Sequence, residues 1–319
     1  MATTAPGPPT ASGDPTPAPF GAVLTAMVTP FDDDGDIDLD AAQRLAAHLV
    51  EQGHDGLVVS GTTGESATTD DGEQLELLAA VLQAVGDRAS VLAGVGTNDT
   101  QHSIDKARNA AELGAHGLLV VSPYYNRPPQ AGLLAHFTAV AEATELRVML
   151  YDIPARTGVA IDPETLVRAA EHPRIVAVKD AKGDFYAGSW VMARTDLAFY
   201  SGDDVANLAW LAHGAVGLVS VVGHVAGREY ATMVQAVCEG DLSTAQRVHR
   251  QLLPAVRGIM TRTQGAIMVK AALQLKGLLA SRAVRLPLVP ATPEQVALLR
   301  TDLTEAALLT EAALLETHT

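Results

Sequence analysis

Lys179 stands next to last in the run Ile175-Val176-Ala177-Val178-Lys179-Asp180, and it is the residue most able to do covalent chemistry. Pro173 precedes the run and Gly183 follows it, which bounds a short buried strand. Side chains alternate along a strand, so Ile175, Ala177 and Lys179 are expected on one face, with Val176 and Val178 on the other. A lysine on an apolar face is poorly solvated, and burying its ammonium is costly. One outcome is a lowered pKa and a neutral amine that attacks carbonyls to form a Schiff base. The plainer outcome is a lysine that reaches solvent or pairs with Asp180.

The other polar stretches favour the first outcome. GTTGES (Gly61 to Ser66), PYYNRPP (Pro123 to Pro129), YDIPARTG (Tyr151 to Gly158) and SGDD (Ser201 to Asp204) each follow an apolar run, and Ser220 ends another within GLVSVVGH. If those runs are parallel strands of one barrel, hydroxyls, phenols, one arginine and one lysine converge on its C-terminal mouth, where barrel chemistry sits. His54, His116 and His213 fall at the opposite ends and form no comparable cluster. Hydrogen-bonded hydroxyls and phenols can move protons without a buried charge. Metal chemistry would instead need grouped histidines or carboxylates, but the ten histidines are scattered and no HxH or HExxH occurs. Asp203-Asp204 is the one acidic pair at a strand end, and a helix cap accounts for it as well. No metal and no cofactor are expected.

The elements that must position these residues alternate from residue 22 onward. The apolar runs are Val23–Thr29, Leu57–Ser60, Val91–Val95, Leu118–Ser122, Val148–Tyr151, Ile175–Lys179, Ala198–Ser201 and Leu218–Val222, separated by helical patterns such as Leu39–Glu51 and Thr100–Leu113. Gly53, Gly114 and Gly214 end helices ahead of strands. Eight strand–helix pairs predict an α/β fold, a (β/α)8 TIM barrel. A doubly wound sheet would carry a Gly-rich dinucleotide turn, and GVGTND is no match for one. The expected barrel core spans residues 20–227. The last barrel helix and a C-terminal helical extension span 228–319, with breaks at Pro254, Gly277 and the Pro287–Pro293 segment. Residues 1–19, rich in proline and alanine, predict a disordered tail with neither a signal peptide nor an anchor.

Composition narrows the partners. At 319 residues and 48% hydrophobic the chain can bury a large core, and a net charge of −15 argues against nucleic acid and anionic membranes. Its apolar runs are too short to span a bilayer. A single cysteine, Cys238, excludes an internal disulfide and suits the cytoplasm. It falls on the helical stripe Tyr230, Met233, Val234, Val237 and is expected to pack in the core.

From about Gly21 to Pro290, the motifs GTTGES and PYYNRP and the lysine strand resemble the pyruvate-dependent class I aldolase family that includes N-acetylneuraminate lyase. The double tyrosine before NRP, and Arg156 in YDIPARTG, favour its branch that condenses pyruvate with L-aspartate 4-semialdehyde on the route to diaminopimelate and lysine. The branch acting on 2-keto-3-deoxy sugar acids, and a silent barrel that only binds a keto acid, are the alternatives. The resemblance implies that Lys179 forms the Schiff base with the pyruvate keto carbon. It implies that Thr63 and an adjacent amide bind the pyruvate carboxylate, and that Thr62, Tyr125 and Tyr151 relay protons. Tyr125 would reach in from a neighbouring subunit of a homotetramer, a dimer of dimers. Arg156 would hold the semialdehyde carboxylate, to which a guanidinium fork is suited. Gly202 and Val219 would line the pyruvate pocket through their backbones.

Two positions depart from the family pattern. Asp152 stands where asparagine is common, adding a charge near Arg156, and Lys182 stands where threonine is usual and is expected to be a solvated surface lysine. Some members bind L-lysine in a cleft that here would involve Ser66, Ala67, Thr69, Asp71, Gln74, Asn98, His102 and Tyr124. Sensitive members place a glutamate where His102 stands and histidines where Asp71 and Gln74 stand. An imidazole cannot replace a carboxylate facing a cation, and Asp71 would have to shift by most of a helical turn to compensate. Weak inhibition by lysine, or none, is expected.

Overall fold

In the computed structural model, which describes residues 18–309, all eight apolar runs hold strands of one sheet. They are β1 (Val23–Ala26), β2 (Gly56–Val59), β3 (Ser90–Gly94), β4 (Gly117–Val121), β5 (Arg147–Asp152), β6 (Ile175–Asp180), β7 (Ala198–Ser201) and β8 (Gly217–Ser220). Each pairs in parallel with the next and β8 pairs with β1, so the sheet closes and leaves no edge. This is the expected TIM barrel, with further helices after the last strand. Most of the expected tail, residues 1–17, lies outside the described residues, as do residues 310–319.

Parallel strands covered on both faces carry continuous apolar runs, and two apolar layers result. Leu24, Val58, Leu92, Leu119, Met149, Ala177 and Val219 fill the barrel interior. Val23, Leu57, Val91, Leu118, Val148 and Leu218 face outward into the helices. Several helices start where the sequence supplies a side-chain acceptor. Asp38 caps Leu39–Glu51, Asp99 caps Thr100–Glu112, and Asp70 with Glu73 forms a reciprocal capping box at Asp71–Val85.

Strict alternation fails at the start of β6. Val148 pairs with Ile175 but Met149 pairs with Ala177, so Val176 is an inserted residue. Such a bulge shifts the phase by one. Ile175 therefore joins Val178 in the outer layer, while Ala177 faces the interior. Lys179 keeps the inward phase of Ala177, without Ile175 as a face-mate.

After β8 come the helices Gly223–Cys238, Leu242–Val256, Gly265–Leu275 and Pro293–Glu305. Pro254 is not a break. Its helix runs through it to Val256, held by buried Leu252, Ala255 and Val256, and then widens into a π-helical turn at Arg257–Thr261. Cys238 is not in the core either: it is the last residue of its helix, where the apolar stripe runs out, and it is exposed. Among the described residues no helix is long and apolar enough to cross a membrane.

Candidate active site

The ends of β5, β6 and β7 set the geometry. Register places Tyr151 beside Lys179 and Lys179 beside Tyr200, so Lys179 sits between two aromatic neighbours on adjacent strands. Its side chain is 4% exposed, and Nζ lies 4.2 Å from the centre of the Tyr151 ring. Burial pulls its amine down to about 8; the Asp204 carboxylate opposes that shift and Arg156 adds to it. Asp180 is not its partner. That carboxylate turns away and accepts the amides of Lys182 and Gly183 at 3.0 and 2.8 Å. Burial also raises the Tyr151 phenol, which stays protonated at neutral pH.

Gly202 completes the lysine's slot. A Cβ there would sit 2.8 Å from Lys179 Cγ and 2.9 Å from the Asp180 carbonyl oxygen, so only glycine lets the lysine stem pass. Beyond it, the acidic pair divides. Asp203 accepts from the Val205 amide at 3.2 Å and caps the turn. Asp204 is buried and accepts from Ser220 Oγ, from the amides of Val221 and Val222 at 2.8 and 3.0 Å, and from Asn207 Nδ2 at 3.0 Å. It ties the end of β7 to the end of β8.

Above this floor opens a cavity of about 410 Å³. Thr62, Tyr125, Tyr151 and Arg156 border it, together with Tyr124, Ser66 and Thr157. Thr63, Lys179, Gly202 and Val219 do not: they are packed into the barrel end, and Lys179 lies against the Tyr151 ring that borders the cavity. Tyr125 is 89% exposed on this chain. Four of the five described non-glycine residues at positive φ, Ser60, Glu65, Tyr125 and Arg127, sit on the loops after β2 and β4. Backbone held in that region is costly and clusters at functional sites. The arrangement can do amine chemistry on a carbonyl, with neutral hydroxyls at hand and a cation at the rim. Among the described residues no group of three or more histidine, cysteine, aspartate or glutamate side chains is placed to hold a metal ion.

Three residues around the site were not singled out from the sequence. Glu65, within GTTGES, is buried against Lys270 at 2.5 Å and accepts the Arg285 amide at 3.0 Å. Lys270 also donates to the Ala283 carbonyl and lies 4.1 Å from the Phe31 ring centre. The Arg285 guanidinium binds the carbonyls of Gly35 and Thr68 and the carboxylate of Glu73. The one signal was a lone lysine inside the apolar helix run AIMVKAALQL.

The two departures are partners. Lys182 is no solvated surface lysine: it is 15% exposed, and its Nζ lies 3.1 Å from Oδ2 of fully buried Asp152. In the cleft beside Ser66, Asp71 already meets His102 Nε2 at 2.8 Å and Lys106 Nζ at 3.5 Å. No helical-turn shift is needed to bring Asp71 to His102.

The model of the Dihydrodipicolinate synthetase family matches residues 19–306. The chain belongs to the dihydrodipicolinate synthetase family. Among family members, the 4-hydroxy-tetrahydrodipicolinate synthase of Kineococcus radiotolerans is 68% identical over 300 residues, 94% of this chain and 97% of that protein. The corresponding protein of Acidothermus cellulolyticus is 65% identical over 290 residues, covering 91% and 94%. The solved structure of the dihydrodipicolinate synthase of Cyanidioschyzon merolae, with lysine bound, superposes at a TM-score of 0.89 and 41% identity, covering 91% of this chain and 99% of that one. Family membership and the barrel architecture thus agree.

Proposed function

We propose that this chain is a 4-hydroxy-tetrahydrodipicolinate synthase, a Schiff-base-forming lyase that condenses pyruvate with L-aspartate 4-semialdehyde. The observation that carries the reading is Lys179: an amine drawn down to about 8, packed on Tyr151 at the edge of the cavity that Arg156 borders. An amine with a pKa near 8 is about one-tenth neutral at pH 7, against well under ~0.1% for an ordinary lysine.

In this reading the neutral amine attacks the pyruvate keto carbon, and the resulting carbinolamine loses water to give an iminium. A proton leaves the pyruvate methyl to form an enamine, whose carbon bonds to the aldehyde carbon of the semialdehyde. The new alkoxide takes up a proton. The semialdehyde's own amine then displaces Lys179, closing the ring and freeing the lysine. Thr62, Tyr125 and Tyr151 supply and collect the protons, Thr63 holds the pyruvate carboxylate and Arg156 the semialdehyde carboxylate. Gly202 and Val219 shape the pyruvate pocket. The assembly is a homotetramer acting in the cytoplasm; the exposure of Tyr125 supports a site completed by a neighbour.

Incubating the purified chain with pyruvate and either L-aspartate 4-semialdehyde or N-acetylmannosamine tests the reading. Consumption of pyruvate is expected with the semialdehyde alone. Turnover with the sugar alone would assign the chain to the lyase branch.

A further inference from the structure

The loop that carries Arg156 leaves β5 at Asp152 and rejoins the barrel wall at Ile161. One side chain meets both ends. Lys182 Nζ lies 3.1 Å from Asp152 Oδ2 and donates to the Ile161 carbonyl at 3.1 Å. Asp152 Oδ1 accepts the Ile161 amide at 3.2 Å, which closes the ring of contacts. Lys182 is itself held, because its amide donates to Asp180 Oδ1 at 3.0 Å, one residue beyond Lys179.

These contacts are sheltered, so they are stronger than an exposed pair would be. Burial raises the Asp152 carboxyl, and the Lys182 ammonium opposes that rise. Remove the ammonium and a fully buried carboxylate loses its counter-ion, and Asp152 and Ile161 stay joined by the hydrogen bond from the Ile161 amide. The outer side of the loop has its own supports, from Arg127 Nε to the Gly158 carbonyl at 2.8 Å and Gln130 Nε2 to the Ala160 carbonyl at 2.8 Å. Nearer Lys179, Thr157 Oγ1 donates to the carbonyls of Ile153 and Val159 at 3.1 and 2.8 Å, and the Ala181 amide donates to the Asp152 carbonyl at 2.9 Å. Among the described side chains, Lys182 is the one that meets both Asp152 and Ile161 from outside the loop. Arg156 is exposed at the cavity edge, so its position follows its backbone.

We propose that Lys182 is a positioning residue: by clamping Asp152 to Ile161 it fixes the Arg156 loop at the distance from Lys179 that a carboxylate-bearing aldehyde requires. The inference rests on the proposed function for its substrate and on the contacts alone for its geometry. Misplacing a positioning group by about 1 Å can cost on the order of a hundredfold in rate.

The test compares Lys182→Met with Lys182→Arg, which keeps a cation and its donors. Lys182→Met is expected to raise KM for L-aspartate 4-semialdehyde about tenfold or more. Its rate of borohydride trapping with pyruvate should stay within about twofold of the parent, and Lys182→Arg should recover most of the loss. An unchanged aldehyde KM, or pyruvate trapping that falls in step with it, overturns the proposal. Should Lys182→Met fail to fold, Asp152→Asn with Lys182→Met removes the buried charge and still lacks the tie to the Ile161 carbonyl. Its aldehyde KM should remain raised, and a normal value would count against the clamp. Hydrogen exchange at amides 153–161 reads the same contacts without turnover. Faster exchange there in the Met variant and not in the Arg variant supports the clamp whatever the reaction is; unchanged exchange refutes it.

Discussion

Glu65 and Lys270, 205 residues apart in sequence, form one buried ion pair at 2.5 Å. Glu65 belongs to the loop after β2 that carries Thr62 and Thr63, and Lys270 to the helix Gly265–Leu275. The C-terminal helices therefore hold the loop that faces the cavity. Removing one partner strands a buried charge, which typically costs about 3–5 kcal/mol. Lys270→Met should lose stability in that range by denaturant unfolding. Adding Glu65→Gln should return part of it, because no charge is then unpaired. Equal losses in the single and double variants would show that the pair acts only through packing.

Gly202 gives the sharpest steric prediction. Its absent Cβ would sit 2.8 Å from Lys179 Cγ, so Gly202→Ala must push the lysine stem aside. Pyruvate trapping should slow by about ten- to a hundredfold, and the melting temperature should fall as well, because the same Cβ meets the Asp180 carbonyl oxygen at 2.9 Å. Trapping at the parent rate would mean that the stem has room elsewhere.

The barrel was legible because parallel strands covered on both faces write themselves as apolar runs, and the polar stretches at their ends follow from it. Lys179 was legible as an inward residue, but through an alternation that the bulge at Val176 breaks one step earlier. A bulge adds a residue without changing composition, so no local pattern announces it. The contacts Glu65–Lys270 and Asp152–Lys182 join separate loops and helices, and a single sequence carries no record of which charges meet. Asp152 and Lys182 stood out only as separate departures. Pro254 and Cys238 failed for a related reason: packing overrode the breaker, and the helix end exposed the stripe.

Inhibition by L-lysine should be weak. The position expected to oppose an α-ammonium is His102, whose imidazole is engaged by Asp71 at 2.8 Å, with Lys106 3.5 Å from the same carboxylate. Losing a buried charge-assisted pair costs roughly 2–5 kcal/mol, or at least about thirtyfold in affinity. In the condensation assay, half-inhibition well below about 1 mM lysine would contradict this.

Tyr125 is 89% exposed on one chain yet borders the cavity. If a neighbouring chain uses it, inactive Tyr125→Phe and Lys179→Ala proteins should regain some activity when their subunits are exchanged. Proven mixed oligomers without recovery would place the whole relay on one chain.

Borohydride trapping across pH reads out whether Lys179 attacks pyruvate as a neutral amine. Burial lowers this lysine, so the neutral fraction grows as pH rises and saturates above about 8. A single pyruvate adduct should form on the peptide bearing Lys179, with no metal or cofactor added, and the trapping rate should climb through about pH 8 and then level. An adduct on Lys182, or a rate that keeps rising past about pH 10 as for an ordinary lysine, would contradict it.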